Sequence, residues 1–91
     1  MISVLYVDDE PVLLDICRLF LQRSGDIQVT TSTSALEGLS LLTSGASDAI
    51  ISDYQMPGMD GIEFLKAVRR DNKTIPFIIF TGRGREEIVI E

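Results

Sequence analysis

Acidic side chains occur in this sequence at points where a carboxylate could take part in chemistry. Asp8 and Asp9 directly follow the apolar run Val4–Val7, and Asp53 comes shortly after another apolar run, Ala49–Ile51. Adjacent carboxylates repel each other and are costly in an apolar surrounding, so such a pair at the end of a buried strand needs a reason. A hard divalent cation would supply one, because Mg²⁺ prefers oxygen ligands and is commonly held by one or two carboxylates and water.

Asp53 and Thr81 are candidates for a phosphoryl-transfer reaction. A carboxylate can accept a phosphoryl group to form an aspartyl phosphate, and magnesium nearby would neutralise charge on the transferring group. Thr81 follows the apolar run Pro76–Phe80, and its hydroxyl could donate to a phosphoryl oxygen. The alternative for Thr81 is an ordinary strand residue. The alternative for each aspartate taken alone is a helix cap or a solvent-exposed position.

The elements that must position these residues alternate between strands and helices. Predicted helices follow each of the first three strands, and Gly25 and Gly45 end two of them. The segment Arg85–Glu91 is predicted to start a fourth helix. The helix after the first strand is predicted from apolar residues at helical spacing, which are Leu13, Ile16, Cys17, Phe20 and Leu21. The predicted strands are Val4–Val7, Ile27–Thr30, Asp48–Asp53 and Pro76–Phe80.

This alternation predicts an α/β domain, a three-layer sandwich in which helices cover both faces of a parallel sheet. Most of the strands are apolar throughout, as central strands are, whereas Ile27–Thr30 alternates as an edge strand does. In an open parallel sheet, ligands bind beyond the carboxyl ends of the strands. Asp8, Asp9 and Thr81 follow strands and Asp53 ends one, so we expect these residues to converge at one edge of the sheet.

Composition excludes several classes of function. The 91 residues allow one small domain, and a hydrophobic content of 45% is that of a globular chain. Eight basic against 14 acidic residues argue against direct contact with nucleic acid. A single cysteine excludes an internal disulfide, and without histidine the chain cannot carry phosphohistidine itself. No apolar run approaches the roughly 20 residues of a membrane span, so we expect a cytoplasmic protein with no membrane contact.

Together these motifs resemble the receiver domain of two-component response regulators. The residues that carry the resemblance are the acidic pair in VDDEP, Asp53 in IISDYQMPGMDG and Thr81 in FIIFTGRG, and it extends over the whole chain, residues 1–91. It implies a flavodoxin-like fold, for which the strand order is 2-1-3-4-5. It also implies a place in a phosphorelay, with a sensor histidine kinase or a phosphotransfer protein as partner. The lack of histidine agrees with a donor on another protein.

The resemblance further implies roles for individual residues. Asp53 would be the phosphoacceptor and Thr81 the switch hydroxyl. Mg²⁺ would be held by Asp8, Asp9, Asp53 and the backbone carbonyl of Gln55, with Asp9 the more direct ligand of the acidic pair. A receiver supports its own phosphorylation without turning over a separate substrate, so the chain is not expected to be an enzyme.

The sequence departs from the family pattern near its end. Receivers carry a lysine at the end of the fifth strand and an aromatic residue on that strand, and neither can be assigned here. We therefore expect a C-terminally incomplete domain over residues 1–91, with strand order 2-1-3-4 and without the fifth strand and last helix. Pro76–Phe80 would then be an uncovered edge, and pairing of two such edges predicts a two-fold homodimer.

Two other functions stay open at this point. The missing lysine favours a receiver-like interaction module that is not phosphorylated, whereas Asp9, Asp53 and Thr81 oppose that interpretation. An aspartate-nucleophile phosphatase of the haloacid dehalogenase type would need an acid two residues after its nucleophile. Glu10 would have to serve there, and Asp53 would be left without a role.

Overall fold

The computed structural model describes residues 1–45, 47–80 and 88–90, the last as backbone. Three helices and five strands alternate along most of this length. The strands are β1 (Ile2–Val7), β2 (Ile27–Ser32), β3 (Ala49–Asp53), β4 (Phe77–Phe80) and β5 (Ile88–Ile90). The helices are α1 (Pro11–Gln22), α2 (Ala35–Ser44) and α3 (Gly61–Asp71).

Local sequence accounts for where the helices begin. Pro11 opens α1 in the first turn, where its missing N–H costs no hydrogen bond. The Ser34 hydroxyl caps α2 by accepting from the backbone N–H of Glu37, at 3.1 Å. A capping box starts α3, because Asp60 and Glu63 each accept a hydrogen bond from the backbone N–H of the other.

The five strands form one sheet in the order β2-β1-β3-β4-β5. The first three pairings are parallel, which confirms the predicted order 2-1-3-4. The register places Val7 beside Ser52 and Asp53 beside Phe80. The carboxyl ends of β1, β3 and β4 therefore meet at the same edge of the sheet.

Helices cover both faces of the sheet, as the three-layer prediction requires. On one face, α2 and α3 enclose the larger core, in which the rings of Phe64 and Phe77 meet edge to face with centroids 5.4 Å apart. On the other face, α1 packs on a smaller cluster that includes Tyr6, Leu14 and Val29. We call these the α2/α3 face and the α1 face.

The end of the chain differs from the prediction. Ile88–Ile90 is not part of a helix but forms β5, which pairs antiparallel with β4 and sets Ile88 beside Phe80. The expected open edge at Pro76–Phe80 is therefore wrong, and with it the reason for a dimer through that edge. Three consecutive β-branched residues suit a pleated strand, and the hydrogen-bonding groups of β4 give them a partner.

The apolar pattern in α1 identified the helix but not its buried side. Leu14 is buried and Cys17 and Leu21 are partly buried, with the Cys17 sulfur accepting from the Tyr6 hydroxyl at 3.4 Å. Leu13, Ile16 and Phe20 are exposed. In the part of the chain that the structure describes, no helix has the length and apolar character of a membrane span.

Candidate functional site

The site lies at the carboxyl ends of β1 and β3. Because the parallel register pairs Val7 with Ser52, the residues that follow them, Asp8 and Asp53, lie beside each other at this edge of the sheet. Both side chains are buried, with 5% of Asp8 and 7% of Asp53 exposed. The structure therefore brings these two aspartates together at this edge, as the sequence predicts.

A tight turn after β1 brings further acids to Asp8. The Asp8 backbone N–H donates to the carbonyl of Ser32 at 3.1 Å, and its carboxylate accepts from the backbone N–H of Glu10 at 2.9 Å. This turn folds Asp9 and Glu10 back toward Asp8. Carboxylate oxygens of Asp8, Asp9 and Glu10 lie within 4.8 Å of one another. We call these three residues the acidic cluster.

Within the acidic cluster, burial acts most strongly on Asp8. The pKa of Asp8 is raised from 3.8 to about 6, chiefly because the carboxyl is buried and also because Asp53, Asp9 and Glu10 are negative, against the opposing hydrogen bond from the Glu10 N–H. The folded protein therefore holds carboxylates together at a cost in free energy. A divalent cation would offset that cost, and oxygen donors are the set that Mg²⁺ prefers. The residues present thus fit a magnesium site.

The loop after Asp53 is held closely against the sheet. The backbone N–H of Tyr54 donates to the carbonyl of Phe80, and that of Gly61 donates to the carbonyl of Tyr54, each at 2.8 Å. A Cβ on Gly61 would lie 2.6 Å from the backbone oxygen of Asp53, so glycine is required for this approach. Gly58, with φ at +82°, supplies the left-handed turn between them. The position of Asp53 is therefore fixed by backbone contacts on both sides.

An open depression of about 500 Å³ adjoins the acidic cluster. Its lining residues come from the end of β1 and from the loop that leads into α3, and they are Asp9, Tyr54, Gln55, Met56, Pro57 and Asp60. Solvent and a small anionic group can therefore reach the acidic cluster from this side. Asp60, which also lines it, serves as the N-cap of α3.

Most of the predicted site residues lie at this edge. Asp8, Asp9 and Asp53 converge there, and Gln55 lines the adjoining depression. Thr81 lies outside the described residues. Sequence reasoning gave Glu10 no part in metal binding, although it joins the acidic cluster. The signal was present, because Glu10 is the third consecutive acid after β1.

The chain is similar in sequence to known response regulators. A sequence model of the response regulator receiver domain matches residues 4–91. The response regulator SaeR of Staphylococcus aureus is 37% identical over 90 residues, which cover 99% of this chain and 39% of SaeR. The chain thus spans about two fifths of the curated relative.

Solved structures resemble the fold closely. The chemotaxis response regulator CheY4 of Vibrio cholerae is 37% identical, with a TM-score of 0.82 over 87% of this chain and 67% of CheY4. The response regulator TrrA of Thermotoga maritima, solved in complex with Mg²⁺-BeF, is 33% identical, with a TM-score of 0.75 over 80% of this chain and 63% of TrrA.

A further structure holds the histidine kinase ThkA in complex with TrrA. It matches at 30% identity, with a TM-score of 0.82, over 96% of this chain and 76% of the matched chain. The family match covers nearly the entire sequence, and the solved relatives match its fold with TM-scores from 0.75 to 0.82. This chain belongs to the response regulator receiver domain family of two-component systems.

Proposed function

We propose that this receiver domain accepts a phosphoryl group on Asp53 from a phosphohistidine of a partner histidine kinase or phosphotransfer protein. The observation that carries the proposal is the position of Asp53, buried at the end of the central strand β3 and beside the acidic cluster. A carboxylate at this place is held by the sheet, and the next residue, Tyr54, lines an open depression. A fixed position and access from solvent are both needed for a nucleophile that must meet a donor on another protein.

The chemical step is a displacement at phosphorus. An oxygen of Asp53 forms a bond to phosphorus while the bond between phosphorus and the imidazole nitrogen of the donor breaks. The leaving imidazole keeps the electron pair and takes a proton, so the donor histidine returns to its neutral form. The acceptor domain turns over no separate substrate, and we regard it as a phosphoacceptor and not as an enzyme.

The acidic cluster would hold Mg²⁺ beside Asp53. Asp8, Asp9 and Asp53 offer carboxylate oxygens, and the Gln55 carbonyl would complete the protein ligands. When bound, the ion supplies positive charge that offsets the negative charge of the transferring group. The raised pKa of Asp8 supports this role, because it reports a carboxylate that is buried and lies beside other negative charges, a cost that a cation would offset.

Thr81 is the proposed switch residue. It follows Phe80, which lies beside Asp53 in the sheet register. Its hydroxyl would bind the phosphoryl group and shift the segment that follows, a two-state change biased by phosphorylation. Thr81→Val removes the hydroxyl at nearly constant shape. This variant should keep Mg²⁺ binding and lose the phosphorylation-dependent change in hydrogen exchange after Phe80, and an unchanged exchange response would remove the switch role.

Acetyl phosphate with Mg²⁺, followed by intact mass and peptide mapping, tests the acceptor. We expect one phosphoryl group on the wild-type chain and none on Asp53→Asn. Asp60→Asn is the matched control, because asparagine also caps helices and the α3 start should be kept. Modification at Asp8, Asp9 or Asp60 would contradict the assignment, and no modification would favour an interaction module.

A further inference from the structure

Two serines are buried in the row of the sheet directly before Asp8 and Asp53. Ser32 is the last residue of β2, Ser52 is the last but one of β3, and the register sets both beside Val7. Neither has more than 2% of its surface exposed. A buried hydroxyl is expected to have a hydrogen-bond partner, so the partners show what each serine holds. Ser52 donates to the carbonyl of Asp53 at 2.9 Å, whereas the partners of the Ser32 hydroxyl lie outside its own strand.

Ser32 connects the end of β2 both to the site and to α2. Its backbone carbonyl accepts from the Asp8 N–H at 3.1 Å, one residue beyond the last pair of the β1–β2 register. Its hydroxyl donates to Oε1 of Glu37 in α2 and to the carbonyl of Ser34, each at 2.8 Å. The hydroxyl has a single hydrogen, and the carboxylate is the stronger of the two acceptors. Glu37 therefore holds the residue that in turn holds Asp8.

Glu37 differs from the corresponding glutamate at the start of α3. In the capping box of α3, the Glu63 carboxylate accepts from the backbone N–H of Asp60, the N-cap residue itself, at 3.0 Å. The Glu37 carboxylate reaches past the N-cap of its helix and accepts from the Thr33 N–H, at 3.3 Å, and from the Ser32 hydroxyl. One carboxylate oxygen thus ties α2 to the end of β2 and not only to the first turn of the helix.

Close packing holds α2 in the place from which Glu37 reaches Ser32. The next residue of α2, Gly38, is buried against the sheet. A Cβ at Gly38 would lie 3.1 Å from Cγ2 of Val7 and 3.1 Å from Cζ of Phe64. Because Val7 pairs with Ser32 in the sheet, this contact and the Glu37 hydrogen bonds are made to neighbouring residues of one row. The start of α2 therefore has little freedom to move relative to that row.

We propose that Glu37 is a positioning residue of the site, which acts through Ser32 to fix Asp8. The inference rests on the proposed function, in which the Asp8 carboxylate helps to hold Mg²⁺ beside Asp53. The hydrogen bond from the Asp8 N–H to Ser32 sets the place at which the chain leaves β1. Without the Glu37 carboxylate, the end of β2 loses the bonds that tie it to α2, and Asp8 gains freedom to move. Mg²⁺ then binds less tightly, because its ligand is no longer held in place.

Nuclear magnetic resonance of the backbone amides tests this link with and without the metal. In Glu37→Ala, the Asp8 amide resonance should shift and its hydrogen should exchange faster than in the wild type, before any Mg²⁺ is added. Titration of the same samples with MgCl₂ should give a dissociation constant raised by about 10-fold, the lower end for residues that orient metal ligands. Ser32→Ala should have the same effects. The double variant should be little weaker than either single one, because Glu37 acts through Ser32.

Two control variants separate positioning from charge and from helix capping. Glu37→Gln removes the same charge as Glu37→Ala but keeps a side-chain oxygen that can accept from the Ser32 hydroxyl. Its Asp8 resonance and its Mg²⁺ affinity should therefore stay close to those of the wild type. Ser34→Ala removes the hydroxyl that caps α2 but keeps the backbone groups of residue 34 and the bond between Glu37 and Ser32. It should lower stability and leave Mg²⁺ affinity unchanged.

The outcomes separate this inference from the proposed function. An unmoved Asp8 amide in Glu37→Ala would overturn the inference, and so would equal losses of Mg²⁺ affinity in Glu37→Ala and Glu37→Gln or in Glu37→Ala and Ser34→Ala. Asp53→Asn should lose Mg²⁺ affinity in the same titration, so a loss there with none in Glu37→Ala would reject the inference and keep the proposed site. A wild type that binds no Mg²⁺ would reject the proposed metal site, and the Asp8 amide, which needs no metal, would still decide whether Glu37 positions Asp8.

Discussion

Helices cover the two faces of the sheet to different extents in the described part of the chain. On the α2/α3 face, Ile50, Phe77 and Ile79 have no exposed surface, because two helices cover β1, β3 and β4 together. On the α1 face, among the residues that the structure describes, only α1 covers β1 and β2, and Ile51, Ile78 and Phe80 keep part of their surface exposed. Strand alternation places Asp8 and Asp53 on this same face. The more fully covered face supplies most of the buried core, and the less covered face carries the site.

The strongest test of this comparison uses two phenylalanines of β4. Phe77 lies on the α2/α3 face with no exposed surface, and Phe80 lies on the α1 face with 37% exposed. We expect Phe77→Ala to lower the free energy of unfolding by about 3–5 kcal/mol, because it opens a cavity against Phe64. Phe80→Ala should cost about 1 kcal/mol. Denaturant titration of both variants measures the difference, and equal losses would show that the faces contribute alike.

The acidic cluster should make stability depend on pH. The pKa of Asp8 is raised from 3.8 to about 6 on folding, so the native state binds more protons than the unfolded state between these values. This contribution to stability is full below about pH 4 and is lost as pH rises through 6, by about 2–3 kcal/mol.

Asp8→Asn isolates this effect. Asparagine keeps an oxygen that can accept from the Glu10 N–H but carries no charge. At pH 7 the variant should be more stable than the wild type by about 2 kcal/mol, and the gain should vanish near pH 4. Mg²⁺ should stabilise the wild type far more than the variant, through preferential binding to the folded state. A variant with unchanged pH dependence would contradict the electrostatic account. Thermal melts of the wild type and the variant at both pH values, with and without Mg²⁺, measure the pH dependence of stability and the stabilisation by Mg²⁺.

Close packing at the start of α3 should also be measurable. Gly61→Ala would place a methyl group 2.6 Å from the carbonyl oxygen of Asp53, so backbone must shift. We expect a loss of about 2 kcal/mol and a weaker phosphoacceptor, because the shift displaces Asp53. Gly45→Ala is the matched control at an uncrowded glycine, because the nearest atom to its added methyl group is 3.8 Å away. Equal effects in unfolding and phosphorylation assays would show that the contact at Gly61 is unimportant.

The smallest expected effect concerns the cap of α2. The Ser34 hydroxyl accepts from the Glu37 N–H, and removing it in Ser34→Ala should cost about 1 kcal/mol. Ser34→Asn should restore most of that loss, because asparagine caps helices as well. Because α2 helps to close the α2/α3 face, the loss should appear in global unfolding. A loss seen only in hydrogen exchange of the first turn would mean that α2 frays independently of the core.

The sequence by itself determined the alternation of strands and helices and the convergence of Asp8, Asp9 and Asp53. These features depend on spacing along the chain, because a period of two or of three to four residues follows from backbone geometry. The order of the parallel strands came from the family resemblance, which the motifs around Asp53 carry.

Tertiary structure alone decided three other features. Ile88–Ile90 became a strand because β4 offers unpaired hydrogen-bonding groups, which a short apolar run cannot reveal. The pKa of Asp8 rose because folding buries it among other acids. The α1 helix kept Ile16 and Phe20 exposed because it covers only part of its face, whereas spacing alone predicts an apolar side without saying what covers it. Each of these outcomes depends on groups distant in sequence, and the free energy of those contacts exists only once the chain has folded.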